Sequence, residues 1–313
     1  MLQSSLMNIS PINPIQLTYV ITTKNKLPFL KSGLEKLFNN KKKDEEILVA
    51  DAASTDGSVE FLREAYKNGK INFLVSEPDF GESHALNKLF LIAKGELITI
   101  ITDDDVFYFP TIITCREFML SHPKIDIIST EGGSFNKTSA PLDEHPLQLI
   151  RALDYKEKYE KWQESHNPFS FCGLGIMFRR SSLPLLGLWD LSFRAADAEF
   201  SFRTTAGKVN LAWYTGYSFV NISNPQSTSL VFRDKIKQEI VRLNTFYLNK
   251  KPNLFILDIF NVLKGKFKKR TSKRTKESEE TFKTRWPELI LVAEKWLEIK
   301  NKEKKPEFLW NKK

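Results

Sequence analysis

Three consecutive carboxylates, Asp103, Asp104 and Asp105, close an apolar run that ends at Thr102. Like charges so close repel one another, and each loses hydration as the chain packs around it, so the group is costly without a cation. A hard divalent ion, Mg2+ or Mn2+, removes that cost, because it prefers carboxylate oxygen and keeps positions open for phosphate oxygens. The plainer reading of an Asp-Asp-Asp run is a solvated acidic turn. Its place in the fold decides between the two. The same question attaches to Thr22, Thr23 and Asn25 after one apolar run, Asp51 after a second, and Glu77 and Asp79 after a third.

The elements that must position these residues follow from hydrophobic periodicity. Leu17 to Thr22, Ile47 to Ala50, Ile71 to Val75 and Glu96 to Thr102 read as strands, and Pro28 to Phe38, Ser58 to Tyr66 and Ser83 to Ala93 as helices between them. Pro28 suits the first turn of its helix, and Asp56 with Gly57 suits a turn and cap before the next. Strand and helix in alternation imply an α/β fold with a mostly parallel central sheet and helices on both faces. Ligands of such sheets bind at the carboxyl ends of the strands. Every polar group named above immediately follows a candidate strand, so the acidic run is expected at a binding edge.

With the elements in place, four blocks carry a family resemblance. Leu17 to Asn25, Glu46 to Ser58 with its Asp51-Ala52-Ala53-Ser54-Thr55-Asp56-Gly57 turn, Ser76 to Gly81 with Ala85 to Lys88, and Ala93 to Asp105 resemble the opening of family 2 glycosyltransferases of the GT-A fold. Downstream, Phe178 to Ser182, Leu186 to Asp190 and Ala195 to Arg203 are similar to the segments before and around that family's catalytic base. The resemblance implies a Rossmann-like GT-A catalytic domain over residues 1–225, followed by a helical, basic extension over 226–313. It implies an inverting enzyme that takes a nucleotide-diphosphate sugar as donor and a glycan or lipid-linked acceptor. Asp197 would then be the general base, with Glu199 as its neighbouring competitor. Asp51 would meet the nucleotide base, Asp103 the ribose or metal, Asp104 the metal, and Asp105 would be an alternative metal ligand. Thr22, Thr23 and Asn25 would line the nucleotide pocket, and Asp79 would reach the base or the donor sugar.

The chain also departs from the family pattern. Ala52 and Ala53 replace the common Asp-Gly after Asp51, and Thr102 stands where many members begin the metal motif. Many relatives place a His after the base, yet the four His are His84, His122, His145 and His166. Asn221, Asn224, water or a basic side chain between Arg233 and Lys237 is expected in its place.

Composition bounds the remainder. Hydrophobic residues at 41% and charged residues at 27% describe an ordinary globular chain. No apolar run reaches the roughly 18 residues of a membrane-spanning helix. With only Cys115 and Cys172, far apart, a reduced, cytoplasmic setting is expected. The net charge of +9 is uneven: residues 226–313 hold 23 Lys and Arg against 11 Asp and Glu, whereas residues 1–130 hold 14 against 17. Within that tail, Phe255, Ile256, Ile259, Phe260, Leu263 and Phe267 form one helical stripe running into the basic cluster from Lys264 to Arg274. Residues 253–274 are thus a candidate contact with an anionic membrane, peripheral on the inner face. Packing on the catalytic domain is the alternative for this stripe, and for Trp286, Trp296 and Trp310. Two other functional classes stay open. A nucleotidyltransferase also uses strand-end acids, but Thr22-Thr23-Lys24-Asn25 lacks the glycines of its phosphate loop. A nucleic-acid-binding protein would use the basic tail alone, and nucleic acid is not the expected partner.

Overall fold

The computed structural model describes residues 14–135, 138–142, 145–207, 209–249 and 271–311. One sheet organises the chain. β1 (Leu17–Thr23), β2 (Glu45–Asp51), β3 (Phe73–Ser76) and β4 (Leu97–Thr102) form its parallel half, in the order β3-β2-β1-β4. Between them run α1 (Leu27–Asn40), α2 (Ser58–Lys67) and α3 (Glu82–Ile92).

Alternate residues of each strand point to opposite faces, and both faces are apolar. Val20, Leu48 and Ala50 meet α3 on one side. Tyr19, Ile21, Ile47 and Val49 meet α1 and α2 on the other. β1, β2 and β4 are therefore buried on both sides, as the interior of a parallel sheet requires, whereas β3 at the edge is only partly covered. The third strand begins two residues later than the sequence suggests. Asn72 pairs with Ile47 through both its backbone N–H (2.8 Å) and its side-chain oxygen (2.9 Å), so Ile71 is buried in the turn instead of the strand.

The second half of the sheet is mixed. After β5 (Val106–Phe107) and α4 (Phe109–Ser121) come β6 (Ile127–Phe135), β7 (Ile150–Leu153), α5 (Lys156–Ser165) and β8 (Met177–Arg179). β8 runs antiparallel between β4 and β6. Next follow α6 (Leu183–Leu186), α7 (Ala196–Ala206) and the long β9 (Leu211–Ile222), parallel to β6.

The region expected as an appendage is built into this body. α8 (Thr228–Val231) leads to α9 (Arg233–Leu248), whose Leu243, Ile236 and Ile240 pack on Ala195, Ala198 and Phe202 of α7 and its approach. α10 (Thr271–Glu303) sets Phe282, Trp286, Leu289, Ala293 and Trp296 against Phe29, Phe135, Ile150 and Val220. β10 (Phe308–Leu309) closes the sheet edge antiparallel to β9. The expected boundary at 225 therefore marks no break in packing. Trp286 and Trp296 are buried and Trp310 lies edge-on to Phe118, so all three tryptophans anchor the chain to its own body. The stripe from Phe255 to Phe267 and most of the adjoining basic cluster lie outside the described residues. Among the described residues, no helix is long and apolar enough to cross a membrane.

Candidate active site

Parallel pairing in register brings the ends of four strands together. Thr23 lies opposite Asp51, Asp51 opposite Ser76, and Thr22 opposite both Ala50 and Thr102. The polar residues that are scattered in sequence thus share one edge.

Asp51 is almost fully buried. One carboxylate oxygen accepts from Ser54 N–H (3.0 Å) and Ser76 Oγ (2.7 Å), while the other, Oδ1, is buried with no hydrogen-bond partner among the described residues. An unpaired buried acceptor costs about 1–3 kcal/mol, and a ligand N–H would remove that cost. Asn25 instead ties the turn: its side-chain oxygen accepts from Thr55 N–H (2.8 Å) and its own N–H donates to Ser54 Oγ (2.8 Å). Its φ of 53° is the left-handed conformation that Asn tolerates better than most residues. Asp56 is a turn and cap residue, accepting from the N–H groups of Leu27 (2.9 Å) and Ser58 (3.1 Å). Asp79 accepts from Gly81 N–H (2.9 Å) at the approach to α3. Thr22 is half-buried at its strand end.

The acidic run divides into two parts. Asp105 belongs to the sheet: Thr102 Oγ1 (2.7 Å) donates to one of its oxygens, and Asn221 Nδ2 (3.0 Å) and Ile222 N–H (2.7 Å) to the other. It joins the end of β4 to the end of β9. Asp103 and Asp104 face a cation that the sequence reading did not single out, Lys26. Its ammonium is ion-paired to Asp104 and lies 3.9 Å from Asp103. Thr23 Oγ1 donates to Asp103 (2.7 Å), and the buried Asn224 amide donates to Asp104 (2.9 Å). Burial and the neighbouring Asp104 charge push the carboxyl groups of Asp103 and Asp105 well above the usual range, with Lys26 opposing the shift at Asp103. The same acids hold Lys26 firmly protonated against the effect of its burial.

Asp197 lies in the first turn of α7 and accepts the N–H of Ala198 (2.8 Å). Burial raises its pKa. Glu199 is held otherwise: Arg203 grips both its oxygens, at 2.7 and 3.0 Å, and donates as well to the carbonyls of Leu186 and Leu188. Glu82, at the start of α3, joins the two parts of the site. Solvent reaches its side chain, yet the protein crowding it, and then the charges of Asp103, Asp104 and Asp197, push its pKa up to about 7. The charges of the acidic pair and of Asp197 therefore act on one side chain, Glu82. Lys26 and Glu82 were missed because a Lys before a helix and a Glu in its first turn ordinarily mark solvated helix ends. Asn87, by contrast, is a packing residue, exchanging two hydrogen bonds with the backbone of Trp189 (2.8 and 2.9 Å).

Comparison with known proteins identifies the family and the fold. The family model described as glycosyl transferase family 2 matches residues 18–185, more than half of the chain. A curated relative, poly-beta-1,6-N-acetyl-D-glucosamine synthase of Staphylococcus epidermidis, is 21% identical over 193 residues, covering 60% of this chain and 45% of the relative. The chain thus spans less than half the length of the curated relative it matches. Among solved structures, a mannosyltransferase of Pyrobaculum calidifontis in complex with GDP-Man and Mn2+ is similar at a TM-score of 0.53 and 19% identity. That match covers 92% of this chain and 75% of the other. TarS 1-349 of S. aureus in complex with UDP is similar at 0.52 and 14% identity, covering 95% and 97%. At these identities the structures establish a shared fold.

Proposed function

The chain belongs to glycosyl transferase family 2, and we propose that it is a glycosyltransferase that moves a sugar from a nucleoside diphosphate donor to an acceptor hydroxyl with inversion. The observation that carries this reading is the acid pair Asp103 and Asp104 closed on a cation, at the same sheet edge as Asp51 with its orphaned oxygen. The pair fits a divalent metal. Among the described residues no group of three or more acidic, His or Cys side chains forms a cage, but Mg2+ is usually held by one or two carboxylates together with substrate phosphates and water. Asp103 and Asp104 would hold it, while Asp105 keeps the strands in place. When bound, the ion would neutralise charge on the leaving diphosphate.

The remaining roles fall to the chain's own side chains. Asp51 Oδ1 is an acceptor for an N–H on the edge of the nucleotide base. The acceptor hydroxyl attacks the anomeric carbon as the bond to the diphosphate oxygen breaks, and Asp197 takes the hydroxyl proton. Glu199, neutralised by Arg203, anchors the loop that precedes α7. A glycan acceptor, free or lipid-linked, is in keeping with the polysaccharide named in the curated relative. The excess basic charge of residues 226–313 suits a peripheral position on an anionic membrane.

A panel of nucleotide sugars including UDP-GlcNAc and GDP-Man tests the proposal, scored by thermal stabilisation and by release of nucleotide with Mn2+ or with chelator. One donor is expected to stabilise the protein in Mn2+. No stabilisation or hydrolysis with any donor would remove the reading. Asp51→Asn gives a sharper check of the nucleotide pocket. The amide can keep the bonds to Ser54 and Ser76 but presents N–H where the orphaned acceptor stood. Nucleotide affinity is expected to fall by about 10-fold or more, with little change in melting temperature.

Lys26 supplies a prediction about the metal. Its ammonium occupies the position between Asp103 and Asp104 that a divalent ion needs, so the two compete. Without nucleotide, Lys26→Met is expected to bind Mn2+ about tenfold more tightly, as the removal of one charge-assisted bond implies. Titration followed by electron paramagnetic resonance measures this directly, and unchanged affinity would show that Lys26 and the metal do not share a site.

A further inference from the structure

We propose that Glu239, on α9, is a positioning residue for Asp197, acting as a helix cap supplied from outside the helix. The inference rests on Asp197 being the base. Asp197 and Glu239 both lie beyond the region, residues 18–185, that the family model matches.

The amino end of α7 cannot cap itself. Its N-cap residue is Ala195, which has no side-chain acceptor, and no side-chain capping bond forms at that position. The first N–H groups of a helix have no partner within it. At α7 the chain supplies a partner from a distance for the N-cap N–H and for the one before it. One oxygen of Glu239, Oε2, accepts from both Arg194 N–H (2.7 Å) and Ala195 N–H (2.8 Å). Ala198 N–H goes to the Asp197 carboxylate itself. Glu239 is 6% exposed, so its two charge-assisted bonds are sheltered from water. The partial positive charge of the helix amino end favours an anion there.

α9 is fixed well enough to serve as a support. Leu243 is buried between the helices with Ile236 and Ile240 beside it, and Tyr247 stacks on Phe202 at a centroid distance of 5.5 Å. Lys235 lies 3.8 Å from the other Glu239 oxygen. The bonded N–H groups sit two and three residues before Asp197, on the stretch that leads into its helix turn. If that stretch relaxes, the Asp197 carboxylate moves relative to the acceptor hydroxyl. A displacement of about 1 Å can cost on the order of 10²-fold in rate.

Because both bonds end on one oxygen, the side-chain oxygen of Gln can replace it and Leu cannot. In the full chain, Glu239→Leu is expected to lower turnover of the donor selected from the panel by about 10- to 100-fold. The affinity for that donor should stay at the parent value. Glu239→Gln is expected to recover most of the loss. Glu239→Asp keeps the charge but withdraws it from the N–H groups, so it should turn over more slowly than Glu239→Gln even if Glu239→Leu does not fold. If Glu239 acts through Asp197, adding Glu239→Leu to Asp197→Asn should lower turnover no further than Asp197→Asn alone.

Parent turnover in Glu239→Leu, parent turnover in Glu239→Asp, or fully multiplicative losses in the double variant would overturn the inference. The two readings fail separately. Full activity in Asp197→Asn removes the base assignment itself, whereas a slow Asp197→Asn beside an unimpaired Glu239→Leu removes only the positioning role.

Discussion

Asp197→Asn is expected to lower turnover by about 10²- to 10⁴-fold, the range associated with loss of general base catalysis, while donor affinity stays nearly unchanged. The amide has almost the same shape and its oxygen can still accept from Ala198, but it cannot take a proton at neutral pH. Glu199→Gln is the control. Glu199 is bound at both oxygens by Arg203, so its replacement should loosen the Leu186 to Leu188 loop and reduce thermal stability while leaving measurable turnover. If Asp197→Asn turns over at the parent rate and Glu199→Gln is inactive, the base is Glu199. The pH profile adds an independent check. A base works only when ionised, so activity is present above its pKa and lost as pH falls through it. Burial raises the pKa of Asp197, so the acidic limb of the parent profile should lie above the ordinary carboxylate range, and it should disappear with the carboxylate.

Asp104→Asn is expected to weaken donor binding by about 10- to 100-fold in Mg2+ or Mn2+, the magnitude of one charged contact, and far less in chelator. The difference between the two conditions isolates the part of Asp104's role that passes through the ion. In chelator the substitution changes mainly the contacts with Lys26 and Asn224. Calorimetric titration of the donor nucleotide gives all four affinities. Equal affinity with and without metal in the parent protein would take the metal out of the mechanism. Asp105→Asn should behave differently again. Its carboxylate bonds to Thr102, Asn221 and Ile222, so the expected change is lower thermal stability with the metal dependence retained.

The architecture and the edge that carries the site were legible in the sequence because both depend on local pattern. Apolar runs of strand length alternate with helical periodicity from Leu17 to Thr102, and parallel strands joined by helices place their carboxyl ends on one side. Thr23, Asp51, Asp103 and Asp104 therefore had to share an edge, and the structure places them there. The division of labour within that edge depends on contacts far apart in the chain. Asp103, Asp104 and Asp105 are alike in sequence, yet β9 returns Asn221 and Ile222 to Asp105, and Asn224 beyond it to Asp104, while the turn after β1 delivers Lys26 to the acid pair. Glu199 and Asp197 look alike in sequence, and only the fold shows Arg203, one helical turn on, gripping Glu199. Charge and periodicity made the last quarter of the chain look separable. Only tertiary packing shows α9 and α10 packed against the rest of the body, with Glu239 reaching the amino end of α7. The sequence by itself determined which residue types gather at the strand ends, since that follows from spacing. The tertiary structure decided which of them keeps a free oxygen, because that depends on the partners that distant segments bring.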